Sequence, residues 1–229
     1  MSVIAVCGLA IEARIAAGSS VRTVVGGGNA QQLSVALERE IERGARAIIS
    51  FGIAGGLAEY LSAGRCVVAR KIITSSATWP VHRAWSTAIA GRLPGALSAD
   101  IAGVDAIVIN TQAKASLQRA TGAAIVDTES HIAAQIASNH RLPFAAFRVV
   151  ADSARRTLPP AAHAALRHHG KINHRAVLTS LARAPLQFGS LARTAIDARI
   201  AFRALSRGRR RLGPSLGFAD FDELVLDVP

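Results

Sequence analysis

Two carboxylates and an arginine stand where they could do chemistry. Phe144–Asp152 reads F-A-A-F-R-V-V-A-D behind Pro143, a compact apolar run of strand composition. It carries Arg148 inside and Asp152 at its C-terminal end. Ligands of open α/β sheets sit outside the carboxyl ends of the strands, which makes Asp152 a candidate acid. Glu129, in V-D-T-E-S-H just ahead of an alanine-rich helix, is a candidate receiver of hydroxyl groups. Charges this close to apolar segments are costly unless paired or used. A purely structural ion pair, with Arg148 neutralising Asp152 or Asp127, is the competing reading, and the pattern alone leaves it open.

Such groups need elements that hold them. Ser2–Cys7 reads as a first strand ending at Gly8, with Glu12 and Arg14 near the following helix start. A solvated helix terminus carrying Glu12 is the plain alternative there. Val21–Val25 is a second strand, followed by Gly26-Gly27-Gly28-Asn29 and a helix over Ala30–Arg43. Glycines at that point let backbone N–H groups approach an anion. The third glycine of a dinucleotide fingerprint is missing, so the turn is a general anion signal only. Ala47–Phe51 is a third strand, ending in Gly52-Ile53-Ala54-Gly55-Gly56. Two glycine-rich turns after successive strands favour a small-molecule site at one sheet edge. Cys66–Thr74, Ala106–Ile109 and Ala123–Asp127 read as further strands, and Gln112–Arg119 and Ser130–Ser138 as helices. Trp79–Gly103, of mixed polarity, reads as a loop or flap.

Length and composition bound the class. The chain has 229 residues, 50% of them hydrophobic but only 4% aromatic, which suits helices on a largely parallel sheet better than a β-sandwich. No apolar run approaches the roughly 18–20 residues of a membrane span. Met1–Leu9 lacks a basic leader and reads as a strand, so a cytoplasmic protein is expected. Cys7 and Cys66 are expected as buried free thiols rather than a disulfide or metal pair.

Charge is unevenly placed. Residues 155–213 carry 13 Lys and Arg against the single acid Asp197, so this third holds the whole net charge of +12. Residues 1–154 are read as the core, 155–213 as a basic helical extension of the same domain, and 214–229 as a tail. Helices are expected over Ala161–His168, His174–Ala184 and Leu191–Ser206. In the last, Leu191, Ala195, Ala198, Phe202 and Leu205 share one face. Arg193, Asp197, Arg199, Arg203 and Arg207 share the other, with Ile196 and Ile200 among them. That face is either solvated or drawn to an anionic membrane surface. Nucleic acid is not expected, since few aromatics are interleaved for stacking.

With these stretches in view, the chain resembles the superfamily of purine nucleoside phosphorylases and methylthioadenosine/S-adenosylhomocysteine nucleosidases. The resemblance is nearest to its hopanoid-associated phosphorylases, which act on adenosylhopane. It is carried by G-L-A-I-E-A-R-I-A, F-G-I-A-G-G-L-A-E-Y-L-S-A-G, V-D-T-E-S-H and R-V-V-A-D-S-A-R-R-T-L-P-P-A-A. The resemblance implies a three-layer α/β/α fold around a mixed, partly barrel-like sheet. It implies that Glu129 takes the ribose 2′ and 3′ hydroxyls and that Asp152 protonates N7 of the leaving purine. It further implies that Arg148 supports the base side and that Ile107 and Val108 wall the purine. Gly26, Gly28 and Gly52 are matched to the sugar and nucleophile side. Glu12 is matched to the base that activates water, and Arg14 is the candidate for holding phosphate. Thr128 stands where the family has methionine beneath the sugar, and Ala151 where nucleosidases carry serine.

The expected activity is cleavage of the N-glycosidic bond of an adenine nucleoside with a bulky apolar 5′ group. Phosphate is the co-substrate, no cofactor or metal is needed, and adenine is released in hopanoid biosynthesis. A hydrolytic nucleosidase is the enzymatic alternative, and a lipid-surface binding protein on the same fold the non-enzymatic one. A homo-oligomer is expected, at the inner membrane surface if the arginines bind lipid.

Overall fold

Parallel strands need crossovers that return the chain along the sheet, and helices supply them here. The computed structural model describes residues 2–160 and 188–218. The strands are β1 (Ser2–Cys7), β2 (Val21–Val25), β3 (Ala45–Gly56), β4 (Cys66–Ile73), β5 (Thr78–Pro80), β6 (Leu97–Gly103), β7 (Ile125–Asp127) and β8 (Phe144–Asp152). The helices are α1 (Ala10–Ala16), α2 (Ala30–Glu42), α3 (Arg83–Arg92), α4 (Thr111–Thr121), α5 (Ser130–Asn139) and α6 (Phe188–Leu212). β1 pairs in parallel with β2 and β3, and β3 with β8. β3 also meets β7 antiparallel, and β4 meets β8 antiparallel. With β6 lying between β7 and β4, the pairing β3–β7–β6–β4–β8 returns to β3 and closes a barrel-like ring.

Alternation along the strands divides the core in two. Ile4, Val6 and Ile48 face α2 and α5, meeting Leu33, Leu37, Ala133 and Ile136. Val3, Ala5, Ile49, Phe51 and Phe147 face α1, α3 and α6, meeting Ala16, Trp85, Ile89 and Leu205. Helices therefore cover both faces, in the three layers expected. α6 docks by its C-terminal half, where Ala201, Ala204, Leu205, Gly208 and Leu212 are buried. Gly208 is needed there, because a Cβ would lie 2.6 Å from Cζ of Phe147. Arg209 pins the helix to the body, donating to the carbonyls of Ala16 (2.8 Å) and Gly213 (2.6 Å).

The structure departs from the sequence reading at four places. β3 runs through its glycines to Gly56 instead of ending at Phe51; the glycines there serve close approach, not termination. The stretch expected as a loop or flap holds β5, α3 and β6. β6 was hidden because Asp100 interrupts its apolar pattern, paired at 3.0 Å with Arg70. Ala106–Ile109 is loop, not strand. The buried stripe of α6 is shifted, leaving Ala195 exposed and Leu191 and Ala198 half-buried. The helices expected at Ala161–His168 and His174–Ala184 lie outside the described residues, as does the tail beyond Phe218. Among the described residues, no helix is long and apolar enough to cross a membrane.

Candidate active site

β1, β2, β3 and β8 run the same way, so their C-terminal ends gather at one edge. Gly8, Gly26 and Gly52 lie there, each beside a carboxylate. A Cβ on Gly8 would sit 3.0 Å from Oε1 of Glu129, and one on Gly26 3.0 Å from Cγ of Glu129. A Cβ on Gly52 would lie 2.6 Å from Cδ of Glu12 and 2.7 Å from Nη1 of Arg148. The contacts at Gly52 are closer than real Cβ atoms come, and those at Gly8 and Gly26 are tighter than nearly all of them. The glycines are thus what lets two carboxylates and a guanidinium converge on the sheet edge.

Arg148, fully buried, is the hub. Its Nε stands 2.8 Å from Oδ2 of Asp127, and its Nη2 stands 3.5 Å from Oε2 of Glu129. Nη2 also donates to Oγ of Ser50 (2.6 Å). Asp127 in turn accepts from the backbone N–H groups of Glu129 (3.2 Å) and Ser130 (2.8 Å). It thereby caps α5 and aims Glu129 into the cluster. Thr128 donates its hydroxyl to Oε1 of Glu129 (2.6 Å). Glu12 accepts from the N–H groups of Leu9 and Ile53, both at 2.8 Å.

One guanidinium thus serves three buried carboxyl groups, and two of them, Glu12 and Glu129, hold their protons more tightly than usual. Burial pushes Glu12 up to about 7, with Arg148 and the two N–H donors opposing. Burial also raises Glu129, against the charge of Arg148. A carboxyl poised near neutrality is a candidate general base. Glu12 itself is buried; Glu129 is the member of the cluster that lines a small cleft, with Gly26, Gly28, Asn29, Asp105 and Thr128 among its other walls. At its rim the side chain of Asn29 caps α2, accepting from the N–H of Gln32 at 2.9 Å.

Asp152 lies apart from this cluster. On β8 it is four residues from Arg148, and regular alternation would put both on one face. The register with β3 breaks that rule. Arg148 pairs with Gly52 but Asp152 pairs with Gly55, the shift falling between Ala54 and Gly55 and skipping Ala151. A bulge of this kind re-aims the side chain beyond it. Asp152 meets Lys114 of α4, which donates to its Oδ2. The Lys114 ammonium also donates to the carbonyls of Ser153 (3.0 Å) and Arg156 (2.9 Å). Burial pushes the Asp152 carboxyl up, and Lys114 draws it back part of the way by charge and hydrogen bond. A cavity of about 490 Å³ opens on this side, between α4 and the turn after β8, with Leu57, Thr111, Ala115 and Ala154 in its wall.

The structure brings Glu12, Thr128, Glu129, Gly26 and Gly52 together, with Gly28 lining the same cleft. Arg148 joins that group, its ion pairs being with Asp127 and Glu129. Arg14 is exposed; two residues on from Glu12, it points to the far side of α1. Ile107 and Val108 are half-buried in the loop between β6 and α4, where Val108 packs against the cluster of Leu57, Ala102, Ala123 and Val126. Sequence reasoning missed Lys114. Its signal was a negative one: α4 reads T-Q-A-K-A-S-L-Q-R-A-T, with no apolar stripe, and its one buried residue is the lysine.

The sequence model of the phosphorylase superfamily matches residues 100–194, which include β7, Glu129 and all of β8. No curated protein sequence matches the chain. Among solved structures, 5′-methylthioadenosine/S-adenosylhomocysteine nucleosidase from S. pneumoniae, with a transition-state inhibitor, aligns with a TM-score of 0.64 at 14% identity. That alignment covers 93% of this chain and 100% of the other. The nucleosidase from Colwellia psychrerythraea 34H, in complex with adenine, gives 0.61 at 15%, covering 91% and 95%. The Helicobacter pylori nucleosidase gives 0.60 at 13%, covering 93% and 99%. At such identities the likeness is one of fold.

Proposed function

We propose that this chain is a member of the phosphorylase superfamily and cleaves the N-glycosidic bond of an adenine nucleoside between the two carboxylate sites. The observation that carries the reading is their separation: Glu12 lies against Gly52 before the register shift and Asp152 against Gly55 beyond it, while Glu129 lies against Gly8 and Gly26. Glu129 accepts the ribose hydroxyls, as one ionised carboxylate can from vicinal donors. Asp152 gives a proton to N7 as the base leaves with the bonding electrons. Ile107 and Val108 are proposed to wall the purine. No metal or redox group is needed for this chemistry.

Phosphate is the first reading for the nucleophile. It is supported by the Gly26–Asn29 turn, which brings the N-terminus of α2 to the cleft that Glu129 lines. Water is the second, favoured by Glu12, whose proton affinity near neutrality suits a base for water. Adenine release is followed with and without phosphate, on adenosine and on analogues with lipid-like 5′ groups. Release that requires phosphate and yields a ribose 1-phosphate supports the first reading. Release of free reducing sugar without phosphate supports the second. No adenine from any of these substrates overturns the proposal.

A hopanoid-like 5′ group would bring the enzyme to a lipid surface, and the outer face of α6 supports that reading. Arg193, Arg199, Arg203 and Arg207 are exposed there together with Ile196 and Ile200, a basic face with apolar residues suited to anionic lipid. Each arginine near such a surface is worth about 1 kcal/mol, screened by salt. The enzyme would then work at the inner membrane surface. Arg203→Ala with Arg207→Ala and Arg210→Ala should weaken co-sedimentation with anionic vesicles. Arg209 is left intact because it pins α6. Indifference of the wild type to such vesicles at low salt contradicts the lipid reading.

A further inference from the structure

The one fully buried side chain of α4 is a lysine. Lys114 is 0% exposed, and its three ammonium protons meet three acceptors: Oδ2 of Asp152 and the carbonyls of Ser153 and Arg156. A buried ammonium is expensive unless fully satisfied, and this one is satisfied by the turn that follows Asp152. The other carboxylate oxygen, Oδ1, has no hydrogen-bond partner among the described residues and lies beside Gly55, whose added Cβ would be 3.5 Å away. One oxygen is held while the other is left for a ligand. The remaining charged groups that bear on Asp152 are Asp197 of α6 and Arg156, and these two are ion-paired with each other.

We propose that Lys114 is the positioning residue for the base-side acid, an inference that rests on the reading of Asp152 as proton donor. Its ammonium fixes Oδ2 so that Oδ1 meets N7 of the purine, and it stabilises the carboxylate that proton transfer creates. In the step itself, phosphate or water bonds to C1′ as the C1′–N9 bonding pair goes to the base and the proton on Oδ1 passes to N7. Asp152 is left as a carboxylate facing Lys114, which keeps all three of its protons. Solvent returns a proton to Asp152 after adenine departs. Burial holds the proton on Asp152, and the ammonium makes it leave.

The test is a cycle of Lys114→Met, Asp152→Asn and the double variant, read by kcat, KM, pH profile and thermal melt. Lys114→Met should lower kcat about 10²-fold with little change in KM, as loss of one preorganised charge does. The alkaline limb of its activity should move up by about 1–3 pH units, because the acid no longer has a cation beside it. A merely structural lysine would not move that limb. In the Asp152→Asn background, Lys114→Met should cost no further activity and should raise the melting temperature, since it removes an unpaired buried charge. That comparison survives even if Lys114→Met alone fails to fold. The inference is overturned if Lys114→Met keeps the wild-type kcat and limb, or if its loss adds in full to that of Asp152→Asn. Should Asp152→Asn itself turn over like wild type, the reading beneath falls first, and the role of Lys114 falls with it.

Discussion

The two carboxylate sites solve the same electrostatic problem in opposite ways. Around Arg148, one guanidinium is shared by Asp127, Glu129 and Glu12, and negative groups outnumber positive ones in a dry place. Around Asp152, one ammonium serves one carboxylate and two carbonyls. Burial raises the proton affinity on both sides. Around Arg148 the neighbouring carboxyl groups add to that rise, which suits base chemistry at Glu12, whereas at Asp152 the ammonium opposes it, which helps an acid release its proton. The difference teaches that the sheet edge is a divided site, with the register shift in β8 as the partition.

The sharpest way to break the sugar side is through its hydroxyl receiver. A carboxylate built to accept hydroxyls rejects analogues that lack them, because it is left unpaired. A 2′-deoxy nucleoside should therefore react on the order of 10²–10⁴-fold less efficiently, although its glycosidic bond is intrinsically the weaker. Glu129→Gln should blunt that preference. Equal kcat/KM for both sugars, measured on the wild type, removes Glu129 from this role.

Gly52→Ala is the next largest effect. Its methyl group would need the space held by the Glu12 carboxyl and the Arg148 guanidinium. Overpacking of this kind costs about 1–3 kcal/mol, and a displaced base costs about 10²-fold in rate. Gly28→Ala is the control for added bulk: it has open space around it, though its φ of +77° strains any side chain. Its melting temperature should fall with less loss of activity. If Gly52→Ala retains both activity and melting temperature, the close packing of Glu12 on Arg148 is not needed.

The smallest effect sharpens the comparison through pH. Glu12 is raised from 4.5 to about 7, so between those values the folded chain holds a proton that the unfolded chain has released. Stability then falls as pH rises through that window and is level on either side. Relative to Glu12→Gln, the wild type should lose melting temperature from about pH 4.5 to about 7. As a base, Glu12 should also make kcat/KM rise through about pH 7. A flat difference between the two melting series contradicts the shift.

Much of this was legible in the sequence, for reasons that also mark where legibility ended. The strand–glycine–helix succession at Cys7–Gly8 and Val25–Gly26 exposes the parallel edge, because parity and turn chemistry are local. Asp152 and Glu129 stand out because carboxylates at strand and helix ends are conspicuous against apolar neighbours. Register is not local. Nothing between Arg148 and Asp152 announces that Ala151 is skipped, except the facing pair Gly55-Gly56, which reads equally as a turn. Lys114 was invisible for the same reason: an acceptor cage made by a turn about 40 residues away leaves no periodic mark on α4. The apolar cue also failed at β6, where Asp100 faces Arg70.

The division itself is tested most directly by changing the leaving group. A riboside of 4-nitrophenol loses its aglycone without needing a proton, whereas adenine needs one. Asp152→Asn should lower kcat on the adenine nucleoside by about 10²–10⁴-fold yet keep most of the wild-type rate on the nitrophenyl riboside. Glu129→Gln should lose activity on both. An Asp152→Asn variant that loses both substrates equally, or neither, contradicts a site in which one side holds the sugar and the other supplies the proton.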